Sequence, residues 1–229
     1  MERFFDILFS STALLILSPL LIPIIIILKL TGEGEVFFLQ ERIGIGGHEF
    51  KLFKFATMLK NSANIGTGTV TIKGDPRVLP VGRFLRKTKI NELPQLLNIL
   101  LGDMSVIGPR PLTTQTFEAY SMNTQNIIKQ VRPGLSGIGS IIFRNEEEII
   151  DYKNASLDFY ANSIAPYKGS LEEWFVLNKG ILIYFISIFV TIWAVLFPKT
   201  KLAWKVFKDL PEPPNELKEK LYYPNQIDI

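Results

Sequence analysis

The chain has 229 residues, 47% of them apolar, with a mean hydropathy of +0.22 and a formal net charge of +3. Charged residues still make up 21%, which excludes a polytopic membrane protein and leaves one globular body that carries a membrane element. The absence of cysteine excludes disulfides, zinc–thiolate sites and thiol catalysis, and the lone His48 follows Gly46-Gly47 in a turn. No nucleic-acid-binding motif accompanies the basic excess, which suits an anionic lipid surface or phosphorylated ligands instead.

Ile7 to Leu28 is a run of 22 uncharged residues, long enough to cross a bilayer. Glu2 and Asp6 spoil a basic leader, and the run is too long for a cleaved signal peptide. Ser18-Pro19 and Pro23 interrupt it. Each proline removes an N–H bond, so a bend is predicted. Arg3 and Lys29 flank the run one on each side and give no orientation. A kinked spanning helix and a helix that dips into one leaflet and returns both fit these residues. Residues 35–60 read as extended pieces, VFFLQERIG and EFKLFKFATM, around a Gly44–Gly47 turn. Residues 61–75 are polar and glycine-rich, a loop. The block 76–112 is basic, then helical; 116–131 reads as a helix that stops before Pro133-Gly134. GLSGIGS at 134–140 reads as a turn region, and 145–164 as acidic, then amphipathic.

Ile181 to Phe197 is a second uncharged run of 17 residues, at the lower edge of spanning length. Gly180, Tyr184, Ser187, Thr191 and Ala194 recur at three- and four-residue spacing as a small or weakly polar stripe, which favours a helix packed on the body or lying at the interface. Trp193, Trp204, Lys199, Lys201 and Lys205 suit such an interface. PEPPN at 211–215 ends the fold, and the last residues read as a tail. The organisation predicted is mixed α/β and mainly helical: a membrane helix over 1–30, a single compact body over 31–210, and a tail over 211–229.

The chemistry concentrates in 82–112, GRFLRKTKINELPQLLNILLGDMSVIGPRPL. Arg83, Arg86, Lys87 and Lys89 lead into Asn91, Glu92 and Pro94, which open an apolar helix that Gly102 closes. Arg110 follows between Pro109 and Pro111, whose rings restrict the local backbone. Cations beside a helix start suit a phosphorylated ligand, and a guanidinium pairs with phosphate in bidentate fashion. Lys54 is either a phosphate ligand or one face of an edge strand. Asn91 is also a good helix N-cap. Asp103 reads as a turn cap and Glu146–Glu148 as a solvated face.

These segments resemble the bacterial sugar transferase family, the monotopic phosphoglycosyl transferases. The resemblance rests on the Ser18-Pro19 helix, FFLQERIGIGGHEFKLFKFATM at 37–58, GRFLRKT followed by NELPQLLNILLGDMSVIGPRP, VRPGLSGIGS at 131–140, Arg144-Asn145, and LDFY at 157–160. It implies transfer of a sugar-1-phosphate from a UDP-sugar to undecaprenyl phosphate, giving a polyprenyl-diphosphate sugar and UMP. That reaction begins exopolysaccharide, capsule or O-antigen assembly at the cytoplasmic face of the bacterial inner membrane. It also implies Mg²⁺ and the re-entrant form of the N-terminal helix, broken at Ser18-Pro19. The partners implied are UDP-sugar, undecaprenyl phosphate and membrane lipid, with no nucleic acid; a homodimer stays open. By the same resemblance, Asn91 and Glu92 are the catalytic and metal-binding pair, and Lys54, Arg86, Arg110, Arg144 and Asp158 bind substrate. The chain departs from the pattern at two places. Ala56 stands where a cation is usual. Asn91 stands where the family has its nucleophilic aspartate, and a carboxamide is a poor nucleophile. Three accounts follow: Glu92 takes over as nucleophile, the acceptor phosphate attacks directly, or the chain is a non-catalytic lipid-phosphate or nucleotide-sugar binding paralogue.

Overall fold

The computed structural model describes residues 1–62, 75–144, 160–198 and 200–224. Helix α1 (Glu2–Leu30) dominates one side of the molecule. It runs as one element through Pro19 and Pro23 rather than breaking at Ser18-Pro19. Pro19 cannot donate to the carbonyl of Leu15, and the Ser18 hydroxyl donates to that oxygen instead, at 2.7 Å. One stripe of α1 meets the body along its full length. Phe5 and Phe9 join the main core, Ala13, Leu14 and Leu17 pack on Leu96 and Met104, and Leu21, Ile24 and Leu28 pack on Phe55 and Leu85. The opposite face, from Phe4 and Leu8 through Leu15 and Ile16 to Ile26 and Leu30, is exposed and apolar.

Both ends of α1 are also fixed by polar contacts. Arg3 donates to the carbonyls of Ile99 and Leu100, the latter at 2.9 Å, and so supplies a cation to a helix C-terminus. Asp6 is buried. One of its carboxylate oxygens accepts from Ser105 Oγ (2.9 Å), Val106 N (2.8 Å) and Tyr184 Oη (2.9 Å). An acid on an otherwise apolar helix is satisfied here rather than stranded.

The alternating segment forms the predicted hairpin. β1 (Phe37–Ile43) pairs antiparallel with β2 (Glu49–Phe55), Phe37 opposite Phe55 and Ile43 opposite Glu49, around a turn at Ile45–Gly47. Gly46 and Gly47 adopt φ of 69° and 82°, a backbone that glycine tolerates. Helix α2 (Pro80–Lys87) and helix α3 (Gln95–Leu101) follow, α3 ending at Gly102 with φ 104°. Buried Asn98 on α3 accepts from Phe53 N (2.9 Å) and donates to Lys51 O (2.8 Å), which locks α3 to β2.

Two stretches differ from the sequence reading. Residues 116–131 form two helices, α4 (Thr114–Glu118) and α5 (Met122–Ile128), because Ser121 caps the second by accepting from Thr124 N. GLSGIGS is a strand and a helix start rather than a turn region. β4 (Gly134–Ser136) pairs parallel with β3 (Ser105–Ile107) and leads into α6 (Ile138–Ile142). Its glycines serve close approach: a Cβ on Gly134 would sit 2.1 Å from Gly108 N.

After a π turn at Tyr160–Ile164, α7 (Ala165–Leu177) and α8 (Ile181–Leu196) complete the main core with Ile138, Leu171, Tyr184 and Val190. α8 turns Tyr184, Ser187, Val190 and Ala194 inward and leaves Leu182, Phe189, Ile192 and Leu196 exposed, as its stripe predicted. Two short helices, α9 (Leu202–Val206) and α10 (Asn215–Lys218), close the body, and Leu217 and Leu221 belong to the same core. The architecture is mixed α/β, mainly helical, in one body.

Candidate active site

Glu92 lies in a short 3-10 turn, Ile90–Glu92, between α2 and α3, entered through Lys89 at φ 59°. Ile90 and Leu93 pack with Leu85 and Phe55 on Leu21, Ile24 and Leu28 of α1. Apolar residues thus press this polar turn onto the membrane-type helix. Asn91 does not cap α3. The turn bonds Leu93 N to Ile90 O and Leu96 N to Leu93 O, and Pro94 has no N–H to offer. The first-turn donors that a cap would serve are therefore used or missing. Asn91 is buried, 8% exposed, and its Oδ1 has no hydrogen-bond partner among the described residues. For the same reason α3 offers no free N–H array to an anion; the charge that would attract one comes from side chains.

Four cations, Arg110, Lys54, Lys89 and Arg42, act on Glu92. Arg110 Nη2 stands 3.6 Å from Glu92 Oε1, with the two side chains 42% and 22% exposed. Lys54 reaches in from β2, and Arg42 from β1. Arg42 Nη1 donates to Pro111 O at 3.0 Å, and Ile43 N donates to Leu112 O at 2.9 Å, so the hairpin is tied to the Pro109-Arg110-Pro111 loop. Arg86 on α2 lies within electrostatic range of Lys54, and its Nη1 is 3.6 Å from Met58 Sδ.

The fields follow from this crowding. Burial alone would raise the Glu92 carboxyl, but Arg110, Lys54, Lys89 and Arg42 outweigh it and hold Glu92 below the usual carboxylate range. Burial pushes the Lys54 ammonium down to about 7; Glu92 opposes this, and Arg42, Arg110 and Arg86 add to it. Arg42 falls to about 10, first from burial and then from Arg110. One ionised carboxylate facing four cations makes a site for a polyanion, and the excess positive charge is only partly solvated.

Of the residues predicted from sequence, Lys54, Arg86, Asn91, Glu92 and Arg110 come together. Arg144 lines a different cleft, with Ala194, Trp204 and Lys220. Asp158 lies outside the described residues. Ser18 and Pro19 sit midway along α1, the helix on which the site rests. Two residues went unforeseen. Arg42 was signalled only by its place beside Gln40 on an apolar strand; its Nη2 donates to Gln40 Oε1 at 2.5 Å. Glu172 of α7 lies beneath the Arg110 loop, and burial raises it to about 7 against Lys168, the Arg110 N–H and the Arg110 charge. Nothing local in the sequence marks it.

Among the described residues no group of three His, Cys, Asp or Glu side chains could enclose a metal ion. The donors at the turn still fit Mg²⁺. Glu92 offers one carboxylate and Asn91 an unpartnered amide oxygen, both hard ligands, and Mg²⁺ commonly takes one or two carboxylates with water and phosphate oxygens for the rest.

Comparison with known proteins bears on what such a site does. The family model described as bacterial sugar transferase matches residues 1–198. The exopolysaccharide production protein ExoY of Rhizobium meliloti (strain 1021) is 39% identical over 159 residues, covering 63% of this chain and 70% of that protein. ExoY of Sinorhizobium fredii (strain NBRC 101917 / NGR234) is 34% identical over 197 residues, covering 80% and 82%. The UDP-glucose:undecaprenyl-phosphate glucose-1-phosphate transferase of Escherichia coli (strain K12) is 34% identical over 192 residues, covering 82% of this chain and 39% of that longer protein.

Proposed function

Because the chain belongs to the bacterial sugar transferase family, we propose that it transfers a sugar-1-phosphate from a UDP-sugar to undecaprenyl phosphate at the cytoplasmic face of the inner membrane. The observation that carries this reading is the seating of the cationic site on α1. The residues beside Lys54, Arg86 and Glu92 in sequence, Phe55, Leu85, Ile90 and Leu93, pack directly on a helix whose other face is exposed and apolar. A lipid phosphate reaches such a site without leaving the bilayer, while a nucleotide diphosphate enters from water.

The same packing supports an α1 that lies in the plane of the interface. Twenty-nine residues extend about 43 Å at ~1.5 Å per residue, enough to cross, yet the body holds the helix from Phe5 to Leu28. A crossing helix would drag that body through the hydrocarbon. α8 and the Trp193–Trp204 region lie on the interface in this reading.

Glu92 is the residue that meets the donor. It is ionised and partly exposed, whereas the Asn91 oxygen is enclosed and neutral. In the covalent route a Glu92 oxygen bonds to the phosphorus that carries the sugar. The bond from that phosphorus to UMP breaks, and UMP leaves with the electron pair. An oxygen of undecaprenyl phosphate then bonds to the same phosphorus and releases the Glu92 carboxylate. Arg110 and Arg42 hold the phosphate oxygens, and Lys54 supplies a third positive charge when protonated. Mg²⁺, held by Glu92 and Asn91 with the diphosphate, would neutralise charge on the donor.

The buried, neutral Asn91 also favours a second reading, a binding paralogue without turnover. UMP release from a panel of UDP-sugars with undecaprenyl phosphate, using protein in nanodiscs, separates the two. Release from at least one donor is expected. A folded protein that binds lipid phosphate but releases no UMP from any donor would leave the paralogue.

A further inference from the structure

We propose that Glu172 is a positioning residue for Arg110: its buried carboxylate holds the backbone of the Pro109-Arg110-Pro111 loop and so sets where the guanidinium stands. The inference rests on the reading of Arg110 as a phosphate ligand.

The loop has few ways to be held. Pro109 and Pro111 lack N–H groups, so Arg110 supplies the only amide donor of the three residues. That donor points at Glu172 Oε1, 3.4 Å away. The remaining contacts use carbonyls: Pro109 O accepts from Gly134 N at 2.7 Å, and Pro111 O accepts from Arg42 at 3.0 Å. Removing Glu172 would leave the middle of the loop with no backbone anchor.

The surroundings are shaped around this carboxylate. Glu172 is 2% exposed. The backbone N–H of Gly139 on α6 faces the same carboxyl and favours its charged form. A Cβ at position 139 would lie 2.3 Å from Glu172 Oε1, so any larger residue there would push the Glu172 side chain from its place. Lys168, one turn earlier on α7 and equally buried, places a positive charge nearby and stacks over Phe143 at 5.4 Å. Oε2 has no hydrogen-bond partner among the described residues. A buried carboxylate with an unsatisfied oxygen costs stability that an apolar side chain of similar size would not. Its return is a fixed Arg110. Glu172 does not touch the substrate; it acts through the loop.

A double-mutant cycle tests this. UDP binding, measured calorimetrically with Mg²⁺, and UMP release are followed in Glu172→Leu, Arg110→Ala and the double variant, with thermal melting as the check on the fold. Losing one backbone anchor should weaken UDP binding and turnover about tenfold when Arg110 is present. In the Arg110→Ala background the same change should matter less than about twofold. Glu172→Gln, which keeps an acceptor oxygen and the shape, should recover to within about threefold of the parent and serves if the leucine variant fails to fold. Equal losses in both backgrounds would make Glu172 a structural residue and overturn the proposal, as would no loss in either. If the parent releases no UMP from any donor, the transferase reading fails while the binding cycle still reports the coupling. If the parent does not bind UDP at all, both fail.

Discussion

Removing Arg110 should separate the site from the fold. In Arg110→Ala the side chain lost makes one ion pair among the described residues, 3.6 Å from Glu92, with the partners 42% and 22% exposed. Coulomb's law at an effective dielectric constant of about 20 gives that pair about 5 kcal/mol. Solvent screening and side-chain entropy at this exposure reduce the net value to below about 1 kcal/mol. The melting temperature should therefore fall by no more than about 2–4 °C in a chain of this size. Turnover answers to a different quantity. A cation on a transferring phosphoryl group commonly contributes ~3 kcal/mol to the transition state, and that converts to a loss on the order of a hundredfold. The assay is UMP release at saturating UDP-sugar and undecaprenyl phosphate, beside thermal melting in the same detergent. Glu92 also loses its strongest neighbouring cation, so its pKa should rise and the acid limb of the pH–rate profile should move to higher pH. Turnover within threefold of the parent, or a melting temperature lowered by ten degrees or more, would refute the assignment of Arg110 to phosphate.

Three further outcomes are expected. Glu92→Gln should abolish UMP release, and intact-mass measurement after mixing the parent with UDP-sugar and Mg²⁺ should show a phosphosugar adduct at Glu92; an adduct confined to Asn91→Asp would point to direct displacement in the parent. Lys54, with its folded pKa near 7 and its unfolded value near 10.5, is charged below pH 7 and neutral above. UDP affinity should weaken by at most about tenfold per pH unit above 7, and Lys54→Arg should remove the dependence. The sign for stability is opposite: between pH 7 and 10.5 the unfolded chain holds the proton that the folded chain has released, so the Lys54 contribution to stability rises with pH and should vanish in Lys54→Met. A cysteine inserted after Met1 and Thr31→Cys should both be labelled from the cytoplasmic side alone; periplasmic labelling of the first would show that α1 crosses.

The parts of this protein that were readable in its sequence are those set by local pattern. Period-two alternation around Gly44–Gly47 gave the β1–β2 hairpin, and the weakly polar stripe from Tyr184 to Ala194 gave the inward face of α8. Arg86, Glu92 and Arg110 were legible because they crowd one short segment. The unread parts are long-range. Arg42 joins the site through Pro111, 69 residues away, and Glu172 through Arg110, 62 residues away; neither spacing leaves a local mark. Asn91 carries the residue type of a cap but not the role, because a 3-10 turn and Pro94 already use or remove the donors it would serve. The glycines at 134–140 look like turn formers in sequence, and only the approach of Gly108 shows that Gly134 and Gly137 make room for a neighbouring strand.

The buried acid near the start of α1 also sets an order of events during synthesis. Asp6 finds its partners 99 residues later in Ser105 and 178 residues later in Tyr184. At about 5–20 residues per second, the second partner is made roughly 9 to 36 seconds after Asp6. Throughout that interval the nascent segment carries a carboxyl with nothing in the fold to satisfy it. An aspartate costs about 2.5–3.5 kcal/mol at the centre of a membrane helix; Asp6, one residue before the uncharged run, would meet that cost in passing if the chain threaded its beginning across the bilayer. In the in-plane reading of α1, Asp6 stays in contact with water until α8 is made and the Tyr184 hydroxyl reaches it. In that reading, topology follows the schedule of translation as well as the finished packing. Asp6→Leu should let part of the population insert early and cross, with the cysteine after Met1 exposed to the periplasm.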